Sequence, residues 1–358
     1  MKRYSIILVC LCAACSAIGR KAPEDDIYSK RFITATMKKV CDWQLAHPVD
    51  INSRNSNGWA RSAFYTGVMA AYTTTGDTRY LNHAMTWSEH NGWKRGNRPR
   101  HADDHTCGQT YLELYFIKKD PRMIADMIET FDAMIADPKP GRVDWWWCDA
   151  LFMAPPALAR LARATENPKY LDFLHKLWWD TTDFLFDDDE GLYYRDENFI
   201  GKRNANGRKI FWSRGNGWVV GGIVRVLQFL PAEDPYRTRY IRLLRTMAPT
   251  LARVQGPDGF WRTSLLDPEQ APAPESSGTG FFCYGIAWGI NNGILDRDTY
   301  LPVVEKAWKG LVGAVHTDGR LGWVQRIGHQ PEDVSYDDYQ EYGAGAFLLA
   351  ASEMVKLQ

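Results

Sequence analysis

The sequence predicts an all-α fold, an (α/α)6 barrel of six helical hairpins, on three observations. From Ile27 onward the apolar residues recur at helical spacing, and almost no run alternates as a half-buried strand does. The helices come in pairs: one rich in Gly and Ala, a short polar turn, then an amphipathic partner. Six such first helices begin near residues 62, 106, 149, 217, 280 and 340. Their spacing is uneven, roughly 43 to 68 residues, which marks a structural repeat with insertions. Hairpins in series make an open solenoid or a closed ring. Six is the number that closes, and the long insertions argue against a tetratricopeptide-like array.

The elements follow in order. Phe32, Met37, Val40 and Trp43 mark an opening helix from Ile27 that ends before Pro48, which cannot continue it. The pairs are Ser62 to Tyr72 with Arg79 to His90, Thr106 to Ile117 with Arg122 to Ile135, and Asp149 to Ala162 with Lys169 to Phe186. Gly217 to Leu230 pairs with Tyr236 to Val254, and Gly280 to Asn291 with Thr299 to Val315. Gln340 to Leu357 closes the chain, giving twelve helices. The only strand signals are Tyr193 to Arg195 with Lys209 to Trp212, a hairpin around the turn at Asn204 to Gly207, and a short strand at Val324 to Arg326.

Residues 1–19 have signal-peptide form: basic Lys2 and Arg3, an apolar stretch from Ile6 to Ala14, then small residues. The stretch is too short to span a membrane, so no transmembrane segment is expected. Export is, to the periplasm or, with lipid on Cys15, to the outer membrane of a Gram-negative cell. Residues 27–358 then form a single catalytic barrel. Lys plus Arg and Asp plus Glu both number 43, which gives no basic excess for nucleic acid. Cys41, Cys107, Cys148 and Cys283 are scattered without a CxxC, so free or partly buried thiols are expected, with one bridge possible. The outlier is aromatic content: 15 Trp and 17 Tyr, more than packing needs and suited to stacking on a ring-shaped ligand.

An inner ring made of the first helix of each pair puts all six of its N-termini on one rim, where their dipoles favour an anionic group. The unusual segments fall there. Trp145 to Trp147 lead into Cys148 and Asp149. Asp149 either caps the helix that follows or acts as a general acid, its pKa raised by the indoles. Asp103, Asp104 and His105 open the preceding inner helix, with the same two readings for the acids. In WSRGNGW, Arg214 lies between Trp212 and Trp218 and can grip a carboxylate, while its glycines allow close backbone approach. Trp59 precedes the first inner helix. Glu275, Ser276, Ser277 and Thr279 can offer hydroxyls to a substrate or only cap a helix. His101, His105 and His329 form no HExxH, and neither a metal nor a cofactor is predicted.

The stretch from Trp145 to Leu158, WSRGNGW, the ESSGT segment and the C-terminal YGAGAFLLA resemble glycoside hydrolase family 105, the unsaturated rhamnogalacturonyl hydrolases, and more distantly the family 88 unsaturated glucuronyl hydrolases. The resemblance spans roughly residues 30 to 357. It implies an (α/α)6 barrel and, as substrate, an oligosaccharide with a 4,5-unsaturated uronic acid at its non-reducing end. It further implies that Asp149 protonates C4 of the double bond and then deprotonates the water that adds at C5, so that the ring opens and the remaining saccharide leaves. Asp104 would be the second acid, with Asp103 left open beside it. Trp212, Arg214 and Trp218 match the family's tryptophan–arginine–tryptophan group around the unsaturated sugar; Trp147, His105, Trp59 and Thr279, read from their place on the rim, are further candidates to bind it. Where family members often carry a histidine after the third outer helix, this chain reads GLYYRDENF, and Arg195 stands about there. The competing readings are an ordinary inverting glycosidase using Asp104 and Asp149, and a carbohydrate-binding protein without catalysis.

Overall fold

A computed structural model describes residues 26–49 and 56–358. The signal-like segment with Cys15 lies outside the described residues. In chain order the helices are α1 (Lys30–Ala46), α2 (Trp59–Thr75), α3 (Thr78–His90), α4 (Cys107–Lys118), α5 (Ala125–Ala136), α6 (Ala150–Met153) and α7 (Pro155–Thr165). They continue with α8 (Lys169–Leu185), α9 (Ser213–Leu227), α10 (Arg237–Val254), α11 (Ser276–Asn291), α12 (Arg297–Gly313) and α13 (Glu341–Met354). Pro155 and Pro156 have no N–H to donate, so the third inner helix breaks at Ala154 and restarts. Counting α6 and α7 as its halves gives the twelve expected helices among the described residues.

The inner helices pack in sequence, α2 on α4, α4 on α7, α6 on α9, α9 on α11 and α11 on α13, and α13 returns to α2. That return closes the ring, so the (α/α)6 barrel is the observed fold. The two rings differ in burial for a physical reason. Every residue of α9 and of α13 is buried, so these helices have no face left for solvent and carry no polar stripe. The outer helices keep theirs; α10 buries only one side.

Glycine sets the spacing of the inner ring. A Cβ at Gly67 on α2 would stand 2.7 Å from the carbonyl oxygen of Gly345 on α13. At Gly222 on α9 it would run into the Leu151 carbonyl oxygen on α6. Backbone cannot yield there as a side chain does. Gly222→Ala is therefore expected to destabilise the fold by roughly 1–3 kcal/mol or more. A lowered urea midpoint checks it; an unchanged midpoint would show that α6 and α9 move apart at no cost.

The strand expectations need correction. Leu192–Tyr193 pairs with Phe186–Asp187, the chain just before it. The turn at Asn204 to Gly207 exists, but only Arg203 and Lys209 bridge across it, and Trp212 instead bridges Ser264. Asn216 explains the first change: its Oδ1 accepts the Tyr193 N–H and its Nδ2 donates to the Tyr193 carbonyl, fixing that strand against α9. Val324 to Arg326 forms no strand. All four described cysteines are buried free thiols. No helix among the described residues is long and apolar enough to cross a membrane.

Candidate active site

A cavity of about 130 Å³ opens at the end where the inner helices begin. Trp59 lines it from the start of α2, Asp103 from the 3-10 turn Ala102–His105 ahead of α4, Trp147 and Asp149 from the approach to α6, and Trp212 and Arg214 from the start of α9. Met153, Arg195, Ile327 and Gly328 complete the lining. Arg195 arrives because its segment pairs with the tryptophan run: Trp147 bridges Asp196, and the Cys148 N–H donates to the Arg195 carbonyl at 2.8 Å.

Asp149 occupies the capping position, yet its backbone is already helical (φ −61°, ψ −29°) and its carboxylate makes no cap bond. An N-cap side chain reaches back to the helix from an extended backbone; here that geometry is gone and the carboxylate is left for the cavity. Its Oδ2 lies 3.5 Å from the Cys148 thiol and 3.8 Å from Arg195 Nε. Burial pushes the Cys148 thiol pKa far up, so the group stays protonated and donates. Burial also raises the pKa of Asp149, against the pull of Arg195 and Arg214. A buried carboxyl with a raised pKa is the state a general acid needs.

The neighbouring acids separate. Asp103 lines the cavity, and burial together with the charge of Asp149 pushes its pKa up to about 7. Asp104, expected from the sequence as the second acid, does not line the cavity. It is held by Arg98, whose Nη2 donates to Oδ1 at 2.7 Å and whose backbone N–H donates to Oδ2 at 2.6 Å. Burial alone would raise its pKa, but the bonds from Arg98 outweigh that and hold it below the usual carboxylate range. Arg98 Nη2 also lies 3.7 Å from Asp103 Oδ2, but its hydrogen bonds go to Asp104, and of the two adjacent acids it is Asp103 that lines the pit.

The remaining expected residues divide in the same way. Arg214 is buried beside the cavity, stacked on Trp212 (4.3 Å) and Tyr342 (4.9 Å). Its Nη atoms donate to the carbonyls of Gln325 and Arg326, and its buried Nε has no hydrogen-bond partner among the described residues. Trp212 lines the cavity with its indole N–H on Gln325 Oε1. Trp218 is 1 % exposed and absent from the lining; it packs on Phe152, Phe281 and Trp59 behind the cavity. His105 is buried against Phe131, its Nε2 at 2.9 Å from the Pro99 carbonyl oxygen. Thr279 accepts the Trp261 N–H, and Glu275 caps α11 through the N–H groups of Ser277 and Gly278. These are structural contacts away from the pit. Nor do the glycines of WSRGNGW meet a ligand: Gly215 admits the Cys148 sulfur and Gly217 the edge of α11. Ile327 and Gly328 carried no signal in the sequence, while Met153 and Tyr342 fell inside the quoted motifs without being singled out, because an apolar residue or a tyrosine reads as core until the ring brings it beside the pit. Among the described residues no three His, Cys, Asp or Glu side chains group as metal ligands would.

The sequence profile of Glycosyl Hydrolase Family 88 matches residues 28–358. The chain belongs to glycosyl hydrolase family 88. It is a hydrolase of the unsaturated uronyl type. Similar to this family 88 chain is an "Unsaturated 3S-rhamnoglycuronyl hydrolase" of Formosa agariphila, 40 % identical over all of both chains. A protein of the same name from an Alteromonas strain is 34 % identical, covering 99 % of this chain and 98 % of its own. A solved family 88 glycosyl hydrolase from Bacteroides vulgatus is 36 % identical, with a TM-score of 0.87 over 92 % of this chain and 100 % of its own.

These matches reverse the order of families that the motifs suggest. Family 88 comes first; a solved possible family 105 member from Salmonella enterica is 21 % identical at a TM-score of 0.79, a likeness of fold alone. The motifs misled for a physical reason. ESSGT is the cap of α11 and YGAGAFLLA the close-packed start of α13. Both are demands of the barrel, which the two families share.

Proposed function

We propose that the chain removes a 4,5-unsaturated uronic acid from an oligosaccharide in which a rhamnose is the neighbouring sugar, with Asp149 as general acid and base and Asp103 as second acid. The names of the Formosa and Alteromonas relatives, similar along nearly the whole chain, support the rhamnose. The observation that carries the chemistry is the Asp149 carboxyl, buried in the pit, free of any cap bond and raised in pKa.

The reaction is a hydration. Protonated Asp149 delivers its proton to C4 of the enol ether, and positive charge builds at C5. Its carboxylate then takes a proton from the water that adds to C5. The resulting hemiketal opens to a 5-keto group, and C1 releases the rest of the saccharide as an alcohol. One carboxyl gives a proton and recovers one, so no second proton carrier has to be spent. Arg214, with its unpartnered Nε, supplies the positive charge for the sugar carboxylate. Trp59, Trp147 and Trp212 wall the pit with indoles suited to the sugar ring. Asp103 orients the water or a sugar hydroxyl.

Loss of the ultraviolet absorbance of the conjugated double bond reads the reaction directly. The test panel is lyase-made oligosaccharides whose unsaturated uronate is followed by rhamnose, galactose or glucose. Preferential clearing of the rhamnose members is expected; clearing only the others would remove the rhamnose assignment, and clearing of none would remove the enzyme reading. We also propose export on the strength of residues 1–19, checked by fractionation of cells making the full chain, with Cys15→Ala separating a lipid anchor from simple cleavage.

A further inference from the structure

Asp149 stands ahead of a helix that cannot hold itself. α6 is a single turn, Ala150–Met153, and a turn that short makes too few hydrogen bonds to fix its own place. It also ends on orphaned acceptors. Pro155 and Pro156 have no N–H for the Leu151 and Phe152 carbonyls four residues back. The Ala157 N–H, which a continuous helix would give to Met153, goes to the Ala154 carbonyl at 3.0 Å. Leu151, Phe152 and Met153 are all buried, where an unmet carbonyl is costly. The Leu151 carbonyl abuts Gly222 on α9. The other two are met by one side chain of the neighbouring inner helix: Gln109 on α4 donates its Nε2 to the Phe152 carbonyl at 2.8 Å and to the Met153 carbonyl at 3.3 Å.

A chain of contacts sets the direction of that amide. Gln109 Oε1 accepts from Arg225 Nε on α9 at 2.5 Å. A guanidinium only donates, so it takes the amide oxygen and leaves the NH2 group for the carbonyls. Arg225 Nη2 donates in turn to Glu113 Oε1 at 2.8 Å, which also accepts Arg160 Nε and Nη2 at 3.0 and 2.7 Å. Arg160 comes back to the helix break, its Nη1 at 3.0 Å from the Pro156 carbonyl oxygen. Gln109, Arg160 and Arg225 are all buried. Buried charges of this kind rarely stabilise a fold more than well-packed apolar residues would. What this cluster supplies is direction. It also joins the elements that carry the two acids of the pit. The Gln109 N–H donates to the Thr106 carbonyl, and the Thr106 hydroxyl donates to the Asp103 carbonyl at 2.8 Å. Asp149 and Met153, at the two ends of α6, both line the pit.

We propose that Gln109 is a positioning residue for the hydration: by holding the end of α6 it sets the Asp149 carboxyl in the pit against Asp103, and Arg225 keeps its amide turned for that task. The proposal rests on the reading of Asp149 as general acid and base. Trp59, Trp212 and Arg214, which wall the pit, stand at the starts of α2 and α9 and do not hang on α6. Loss of Gln109 therefore acts on turnover and spares binding.

The test measures kcat and KM of the full chain on an unsaturated uronyl disaccharide, read by double-bond absorbance well below each variant's own Tm. Gln109→Met keeps the length of the side chain and removes both donor and acceptor. Gln109→Glu keeps an acceptor for Arg225, whose charge holds it ionised, and removes the donor to the carbonyls. Each is expected to lower kcat about 10- to 100-fold with KM within about 3-fold, the cost of a small misplacement remote from the reacting bond. Gln109→Glu carries the test should Gln109→Met not fold. A lowered Tm with kcat within about 2-fold of the unaltered enzyme would show an amide that serves the fold alone and would overturn the proposal. Turnover kept in Gln109→Glu and lost in Gln109→Met would place the effect at Arg225 and overturn it too. Asp149→Asn, measured beside them, separates the readings. Unimpaired Gln109 variants next to an inactive Asp149→Asn overturn the proposal alone, whereas turnover in Asp149→Asn overturns the acid assignment and the proposal together.

Discussion

Asp149→Asn is expected to lower kcat by roughly 10³- to 10⁴-fold while leaving substrate bound in the pit. The substitution keeps shape and removes both the proton that reaches C4 and the base that takes one from water. The fold does not depend on the carboxylate: it caps nothing, and its closest polar contacts are the Cys148 thiol at 3.5 Å and Arg195 at 3.8 Å. A neutral amide in that buried place costs no more solvation than the carboxyl group it replaces. Stopped turnover with retained binding, measured by double-bond absorbance and calorimetry on the same preparation, is the expected pair of results. Turnover within 10-fold of the unaltered enzyme would move the acid to another residue.

Asp103→Asn and Asp104→Asn are expected to behave as opposites, although the two residues adjoin. Asp103→Asn lowers kcat by about 100-fold, because it removes the second acid from the pit. It also relieves the cost of a buried carboxyl. The pKa of Asp103 in the folded chain, about 7, lies above the ordinary carboxylate value, so the folded state holds its proton more tightly than the unfolded state does. Its contribution to stability is then fully present at acid pH and is lost as pH rises toward 7. Asp103→Asn should accordingly raise Tm by about 2–4 °C at pH 8 and by little at pH 4. Asp104→Asn does the reverse. Its depressed pKa, due to Arg98, stabilises the fold above the ordinary carboxylate pKa and is lost as pH falls. Removing that partnership should cost about 1–3 kcal/mol near neutral pH, with kcat reduced far less than in Asp103→Asn. Thermal melts at the two pH values and kcat at neutral pH decide the matter. The larger kcat loss in Asp104→Asn would reverse the assignment of the second acid.

How far the residues alone reached can be seen at particular positions. Hydrophobic periodicity and the alternation of small-residue helices with amphipathic ones determined twelve helices and six hairpins, because burial on one side or on all sides leaves its pattern locally. The same patterns placed Asp149 after its tryptophans at the start of an inner helix. They did not determine which way the carboxylate faces. That depends on the backbone at Asp149 being helical, which the pairing of Trp147 with Asp196 accompanies. The sequence favoured Asp104 over Asp103, and the order changed only when Arg98 hydrogen-bonded Asp104 and left Asp103 lining the pit. His105, Trp218 and Thr279 looked like ligands for a sugar by residue type. Packing against Phe131, Phe152 and the Trp261 backbone made them parts of the frame.

The sequence by itself determined the barrel, the rim on which the pit stands and the position of Asp149 at a helix start on that rim, since each follows from residues near one another in the chain. Only the tertiary structure decided which of the adjoining acids faces the pit beside Asp149, what Arg195 touches and which of three successive tryptophans is left open to solvent. Those depend on segments far apart in sequence meeting at the mouth, where no local pattern records the direction of a side chain.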